Sequence, residues 1–166
     1  MNLYLTLLLL FALALVQSTV MPHLLLFDVH PDLVLMVVLS WSLLRGAEEG
    51  MLWALIGGVA LDLLSGARFG VQTLPLLIVG FVSGLGERAI FRSEILMPII
   101  AIPLATLVQQ LMTMALLHIT GWPVSWGTSI QQITLPSMLA NTLCMPLVYL
   151  VVRLLHRRTT REKITW

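Results

Sequence analysis

An aspartate lies inside one of the most apolar parts of this sequence. Asp62 stands in the stretch Gly57–Gly70, GGVALDLLSGARFG, together with four glycines and one arginine. A carboxylate at membrane depth costs about 2.5–3.5 kcal/mol on insertion scales. Asp62 also stands in the last turn of its predicted helix, where the negative end of the helix dipole disfavours an anion. We therefore expect a partner for Asp62. Two are available: Arg68, six residues on, and the amides that begin the next helix.

Three roles for Asp62 remain open on these residues. The carboxylate is a structural pair or turn cap that joins two helices, a proton- or substrate-coupling group, or a contact for another protein. Asp32 follows Pro31 in the first turn of an earlier predicted helix, which is typical of a helix start. Because the helices that carry the two aspartates form an antiparallel hairpin, Asp32, Asp62 and Arg68 are predicted to form one polar cluster near the outer leaflet.

Glycines surround this cluster. Gly66 and Gly70 flank Arg68 in a short loop, where a positive φ angle is cheap only for glycine. Gly80 and Gly84 form a small-xxx-small face on the following helix, which allows close approach of a neighbouring helix. We predict packing inside the protein or contact with a partner for this face.

The other polar residues do not form a reactive set. The four histidines lack metal-site spacing, no serine has nucleophile-elbow context, and the glycine-rich stretch is not a phosphate loop. We therefore expect no catalytic residue, no cofactor and no metal, which disfavours a membrane-embedded enzyme. Five amide side chains are expected to hydrogen-bond between helices or line a cavity: Gln109, Gln110, Gln131, Gln132 and Asn141.

Composition identifies the solvent around these residues. Of the 166 residues, 58% are hydrophobic and 10% charged, against about 25% charged in a typical soluble domain. So much apolar surface requires lipid, so we predict an all-α membrane protein. It comprises a six-helix transmembrane domain over 1–155 and a basic cytoplasmic tail over 156–166. The N-terminus lacks a basic region and a cleavage site, which favours a retained helix over a signal peptide.

Proline, glycine and charge divide the apolar sequence into six predicted helices. The second, third and fourth are shorter than the roughly 20 residues that cross a bilayer. Either longer neighbours shield these helices or the bilayer thins locally, and a single re-entrant hairpin of the second and third is a further alternative. We favour six full spans, because the charge pattern supports them. The predicted ranges are Leu3–Val20, Pro31–Leu44, Gly50–Leu64, Val71–Gly86, Ile95–Ile119 and Ile133–Leu155, the last interrupted by Pro136 and Pro146.

The distribution of basic residues orients the six helices. With the C-terminal tail in the cytoplasm, eight basic residues fall inside and Arg68 alone falls outside, which predicts cytoplasmic termini. The eight are Arg45, Arg88, Arg92, Arg153, Arg157, Arg158, Arg161 and Lys163. The tail is also expected to attract anionic lipid.

The second third of the chain resembles the bacterial rod shape-determining membrane protein MreD family. Three passages carry the resemblance: PDLVLMVVLSWSLLRG, GMLWALIGGVALDLLSGARFGVQTL and VGFVSGLGERAIFR. The matching residues are Gly57, Leu61, Asp62, Leu63, Ser65, Gly66, Gly70 and Leu74. The chain departs from the family in its scarcity of basic residues at the N-terminus and its short tail.

This resemblance implies a function and a fold. It implies a non-enzymatic scaffold in the bacterial inner membrane that binds an MreC-like bitopic protein. Binding of nucleic acid is not expected. Through that partner the scaffold would connect to an MreB-like filament and to the glycosyltransferase–transpeptidase pair that extends lateral peptidoglycan. The fold implied is that of the substrate-binding subunits of energy-coupling-factor transporters. The alternative function is a small-molecule-binding subunit of a vitamin-type transporter, whose pocket would use Trp122, Trp126 and the glutamines.

Overall fold

The structure of the chain, a computed structural model, describes residues 3–19, 31–66, 68–86 and 96–160. Helices joined by short loops make up these residues, which contain no strand, and this confirms the all-α prediction. The helices are α1 (Leu3–Thr19), α2 (Leu33–Arg45), α3 (Ala47–Ser65), α4 (Thr73–Leu85), α5 (Leu96–Ile119), a short α6 (Trp126–Ser129) and α7 (Leu135–Thr160). A π-helical segment, Ile130–Thr134, joins α6 to α7.

The second helix lies at the centre of the bundle. Ten consecutive residues, Val34 to Leu43, are buried, because α2 contacts α1, α3, α4, α5 and α7. A helix that is apolar on every side is stable only when it is surrounded. With 13 residues, α2 is about 20 Å long, so it ends well short of the roughly 30 Å of a hydrocarbon core.

The third and fourth helices pack more closely than ordinary side chains would allow. A Cβ atom on Gly58 would overlap the backbone of Thr73, and one on Gly84 would overlap the backbone of Ala47. A Cβ atom on Gly80 would stand 3.0 Å from the carbonyl oxygen of Gly50. The glycines therefore bring the two backbones together, as small residues do between helices in lipid.

The longest helices cross the bundle side by side. Within the described ranges, two segments are long and apolar enough to cross a membrane, Met97–Ile119 and Trp126–Arg157, while Tyr4–Thr19 and Thr73–Leu85 are apolar but shorter. A leucine stripe on α7 faces away from the bundle, with Leu143 81% and Leu147 70% exposed. A surface of this kind is expected in contact with lipid rather than water.

The predicted helix boundaries differ most from the observed ones at the third helix and at the last one, which ends at Thr160 rather than Leu155. The third helix begins at Ala47 rather than Gly50, because Glu48 and Glu49 occupy its first turn, where acidic residues are favourable. The sixth predicted helix was expected to begin at Ile133, whereas α6 and the π-helical segment already form a helical lead into α7 from Trp126. The helix α7 then continues through Pro146 without a break. The predicted ends Val20 and Ile95, and the basic residues Arg88, Arg92, Arg161 and Lys163, lie outside the described residues.

Candidate functional site

The carboxylate of Asp62 caps the start of the next helix. Asp62 is 2% exposed and lies in the last turn of α3. Its Oδ1 accepts a hydrogen bond from the amide of Gln72 at 2.8 Å, and its Oδ2 accepts from the amides of Gly70 at 2.8 Å and Thr73 at 3.2 Å. The hydroxyl of Thr73 also donates to Oδ2. These four donors satisfy the carboxylate where α4 presents the positive end of its dipole.

The loop conformation delivers those amides to Asp62. Gly66 ends α3 in the left-handed conformation with φ of 66°, and Gly70 has φ of 98°. Both angles are readily adopted only by glycine, and neither glycine has another heavy atom closer than 3.9 Å to the position of a Cβ atom. Their role is therefore one of backbone shape rather than packing space.

The expected pair between Asp62 and Arg68 is not present. The side chain of Arg68 is exposed, and the one ion pair among the described residues joins Arg45 to Glu49 at 3.3 Å. Of the two partners expected for Asp62, the helix amides are the ones observed. The physical reason is that three amides and a hydroxyl already occupy the buried carboxylate, so a desolvated arginine is unnecessary.

The carboxylate of Asp32 belongs to a second set of polar contacts. Asp32 is the N-cap of α2 and accepts a hydrogen bond from the amide of Leu35 at 2.9 Å. Its Oδ1 also accepts from Gln17 Nε2 at 3.0 Å, and its Oδ2 accepts from Gln109 Nε2 at 2.8 Å. The amide of Asp32 donates to Asn141 Oδ1 at 2.8 Å. One residue thus connects α1, α2, α5 and α7.

Further bonds complete this polar junction, which we define as Gln17, Asp32, Thr106, Gln109 and Asn141. Gln17 Oε1 accepts from the amide of Val34 at 3.0 Å, so the start of α2 is bound at two amides. Asn141 Nδ2 donates to Thr106 Oγ1 at 3.0 Å, and that hydroxyl donates to the carbonyl of Ile102 at 2.9 Å. Buried amides that are paired in this way fix the register of the helices that carry them.

The two aspartates therefore form separate sites instead of one cluster with Arg68. The structure records no hydrogen bond between Asp32 and Asp62 among the described residues. The partners of Asp32, Gln109 and Asn141, stand near the midpoints of Met97–Ile119 and Trp126–Arg157 rather than near their ends. The cause is the short length of α2, whose N-cap cannot reach the ends of the longer helices.

An unexpected cluster holds the opposite end of α2. Trp41 and Trp53 stack with ring centroids 4.1 Å apart, and Trp41 Nε1 donates to Glu49 Oε2 at 3.1 Å. Arg45 Nε donates to His156 Nδ1 at 2.9 Å, so His156 is neutral and carries its proton on Nε2. The sequence signal for this contact with α7 was the spacing of Trp41 and Arg45, which stand four residues apart on one face of α2.

An apolar groove lies between α4 and α5. Its volume is about 260 Å³, and its lining includes Leu43, Val82, Gly86, Met97, Leu104 and Val108. The fourth helix has 13 residues, whereas α3 has 19 and α5 has 24, so a short helix lies between two longer ones. The side chains of Val82 and Leu104 are 59% and 61% exposed at this groove.

A second, more open pocket lies beyond the end of α5. It has a volume of about 500 Å³ and is lined by His118 and the segment 121–125, including Trp122. The ring of His118 meets that of Trp126 edge-on at 6.1 Å. Within the described part of the chain, no three histidine, cysteine or acidic side chains come together as metal ligands do.

Comparison with known proteins gives one match. The family model described as rod shape-determining protein MreD matches residues 1–159. No curated protein and no solved structure matches the chain.

Proposed function

We propose a scaffold function for this chain, which belongs to the MreD family of rod shape-determining proteins. The family consists of structural membrane proteins that determine cell shape and is not a known enzyme family. In the proposed function the chain regulates lateral peptidoglycan synthesis by holding other proteins of the cell-elongation complex in place. The buried polar junction and the closely packed α3–α4 pair support this, because both give the bundle a fixed shape on which partners can assemble.

The proposed arrangement is a multi-pass protein of the bacterial plasma membrane with six spans and both termini in the cytoplasm. Charge supports it: Arg45 bonds to His156 at one end of the bundle, and Arg153 and Arg157 neighbour His156 in sequence. Arg68 lies at the other end, beyond α3. The substrate-binding-subunit fold of energy-coupling-factor transporters remains part of this proposal. The basic tail would contact anionic lipid.

The partner proposed for the groove between α4 and α5 is the single transmembrane helix of an MreC-like bitopic protein. The groove is the observation that carries the proposal. Its lining is apolar apart from Ser83, and Gly86 keeps one end free of side-chain bulk. A helix from another protein would extend past the short α4 and contact α5, while burying Val82 and Leu104. An MreB-like filament and the glycosyltransferase–transpeptidase pair would then be reached indirectly.

Site-specific crosslinking tests the groove directly. A photoreactive residue at position 82 or 104, in the full chain coexpressed with an MreC-like protein, is expected to crosslink to that protein's transmembrane segment. Leu147 is the matched control, because it is equally apolar and 70% exposed on α7, away from the groove. Crosslinks from position 147 alone, or from none of the three, would overturn the proposed site.

The alternative is a small-molecule-binding subunit of a vitamin-type transporter. The pocket beside His118 and Trp122 is the observation that favours it, because aromatic and polar side chains line an opening of about 500 Å³. Native-membrane purification distinguishes the two functions. Recovery with an ATPase module and a bound vitamin supports the transporter, whereas recovery with an MreC-like protein supports the scaffold.

A further inference from the structure

The carboxylates of the buried Asp62 and the half-buried Asp32 are satisfied to different degrees. Asp62 accepts from four donors, and the start of α4 faces it. Asp32 accepts from three, two at Oδ1 and one at Oδ2. A carboxylate offers about four acceptor positions, so Oδ2 of Asp32 keeps one open. All three of its donors are neutral, and no ion pair reaches Asp32 among the described residues.

The neighbour of that open position is also unsatisfied. Gln109 is 3% exposed, and its Oε1 has no hydrogen-bond partner. Its Nε2 is the atom that donates to Asp32 Oδ2 at 2.8 Å. Because Nε2 and Oε1 belong to one amide, Oε1 lies within about 5 Å of Asp32 Oδ2. A buried acceptor without a donor costs about 1–3 kcal/mol, so its presence beside an anion requires an explanation.

We propose that Asp32 Oδ2 and Gln109 Oε1 bind one monovalent cation of sodium size. Both atoms are oxygens, the ligands that hard cations prefer. Contacts of about 2.4 Å, as for ions of this radius, allow one ion to touch both. A monovalent ion neutralises the single charge of Asp32, whereas a divalent ion would leave a positive charge halfway along two membrane-crossing helices. A water molecule would satisfy the hydrogen bonds but leave the charge uncompensated.

The position of the site gives the ion a consequence for the fold. Asp32 connects α1, α2, α5 and α7, so an ion at its carboxylate stabilises the junction of four helices. Sodium would therefore raise the stability of the whole bundle by preferential binding to the folded state. This inference does not rest on the scaffold proposal, since it concerns the isolated chain.

The test is thermal unfolding of the purified full chain in lipid nanodiscs, with sodium chloride compared with choline chloride at equal ionic strength. We expect a saturable rise of about 3–6 °C in the unfolding midpoint with sodium. Asp32→Asn and Gln109→Leu should lose this rise. Gln110→Leu, at the adjacent half-buried position on α5, should keep it.

A fourth variant keeps the test decisive when a substitution prevents folding. Gln109→Glu replaces the amide oxygen with a second carboxylate, so its midpoint in choline should fall while the rise with sodium grows. Equal midpoints of the original protein in sodium and choline would show water only and overturn the site. An undiminished sodium effect in Gln109→Leu would equally overturn it, by placing the ion elsewhere.

Discussion

Asp62 Oδ1 accepts a 2.8 Å hydrogen bond from the amide of Gln72, the residue that precedes α4. A side chain from the last turn of one helix thereby caps the first turn of the next. The carboxylate replaces the water that the amides of α4 would otherwise need, and the helix dipole stabilises the charge. The aspartate in an apolar helix thus acts as a structural cap with four donors.

Removal of this cap should destabilise the fold strongly. We expect Asp62→Ala to lower the free energy of unfolding by about 3–5 kcal/mol, because the amides of Gly70, Gln72 and Thr73 lose their acceptor. Recovery of a coexpressed MreC-like partner should fall with it. Chemical unfolding in detergent and copurification measure the two effects. Arg68→Ala is the control. It should change the free energy of unfolding by no more than about 0.5 kcal/mol and leave the recovery of the partner unchanged. If Asp62→Ala leaves the free energy of unfolding and the recovery of the partner unchanged, the cap does not stabilise the fold.

The close packing of α3 on α4 gives a second prediction. Gly84→Ala places a methyl group against the backbone of Ala47, which cannot rotate away as a side chain can. We expect a loss of about 1–3 kcal/mol in the free energy of unfolding. Gly127→Ala is the matched control, because a Cβ atom there meets no heavy atom within 4 Å. Equal midpoints for the two variants would contradict a close contact at Gly84.

Sequence patterns predicted the helices well and their tertiary partners poorly. Apolar runs between prolines and glycines located the helices, because burial in lipid or protein leaves a compositional signal. They also placed Asp62 next to two possible donors. The choice between Arg68 and the helix amides depends on the φ angles of Gly66 and Gly70, which the sequence permits without specifying.

The polar junction shows where sequence reasoning stops. Asp32 and Gln109 are 77 residues apart, and no local pattern relates them. Gln109 and Asn141 were predicted to hydrogen-bond between helices or line a cavity, but their common partner, Asp32, was not predicted. The position of Asp32 opposite the middle of α5 and α7 follows from the length of α2, which has only 13 residues among longer helices. That position is a property of the assembled bundle.

The junction itself is tested by Asn141→Ala. Asn141 is fully buried, accepts from the amide of Asp32 and donates to Thr106 Oγ1. Its loss leaves a buried amide unpaired and a cavity between α5 and α7, so we expect about 2–4 kcal/mol of destabilisation. Thr142→Ala is the control, because the hydroxyl of Thr142 bonds only within α7, to the carbonyl of Met138. Comparable losses in unfolding free energy would show that Asn141 does not connect the helices.

Filling the groove should separate partner binding from folding. Val82→Trp adds bulk to a side chain that is 59% exposed at the groove between α4 and α5. We expect recovery of a coexpressed MreC-like protein to fall at least tenfold while the thermal midpoint stays within about 2 °C, because an occupied groove excludes a second helix. Leu147→Trp places the same side chain on the lipid-facing stripe of α7 and should leave recovery unchanged. If both variants retain the partner, the interface lies on another face of the bundle.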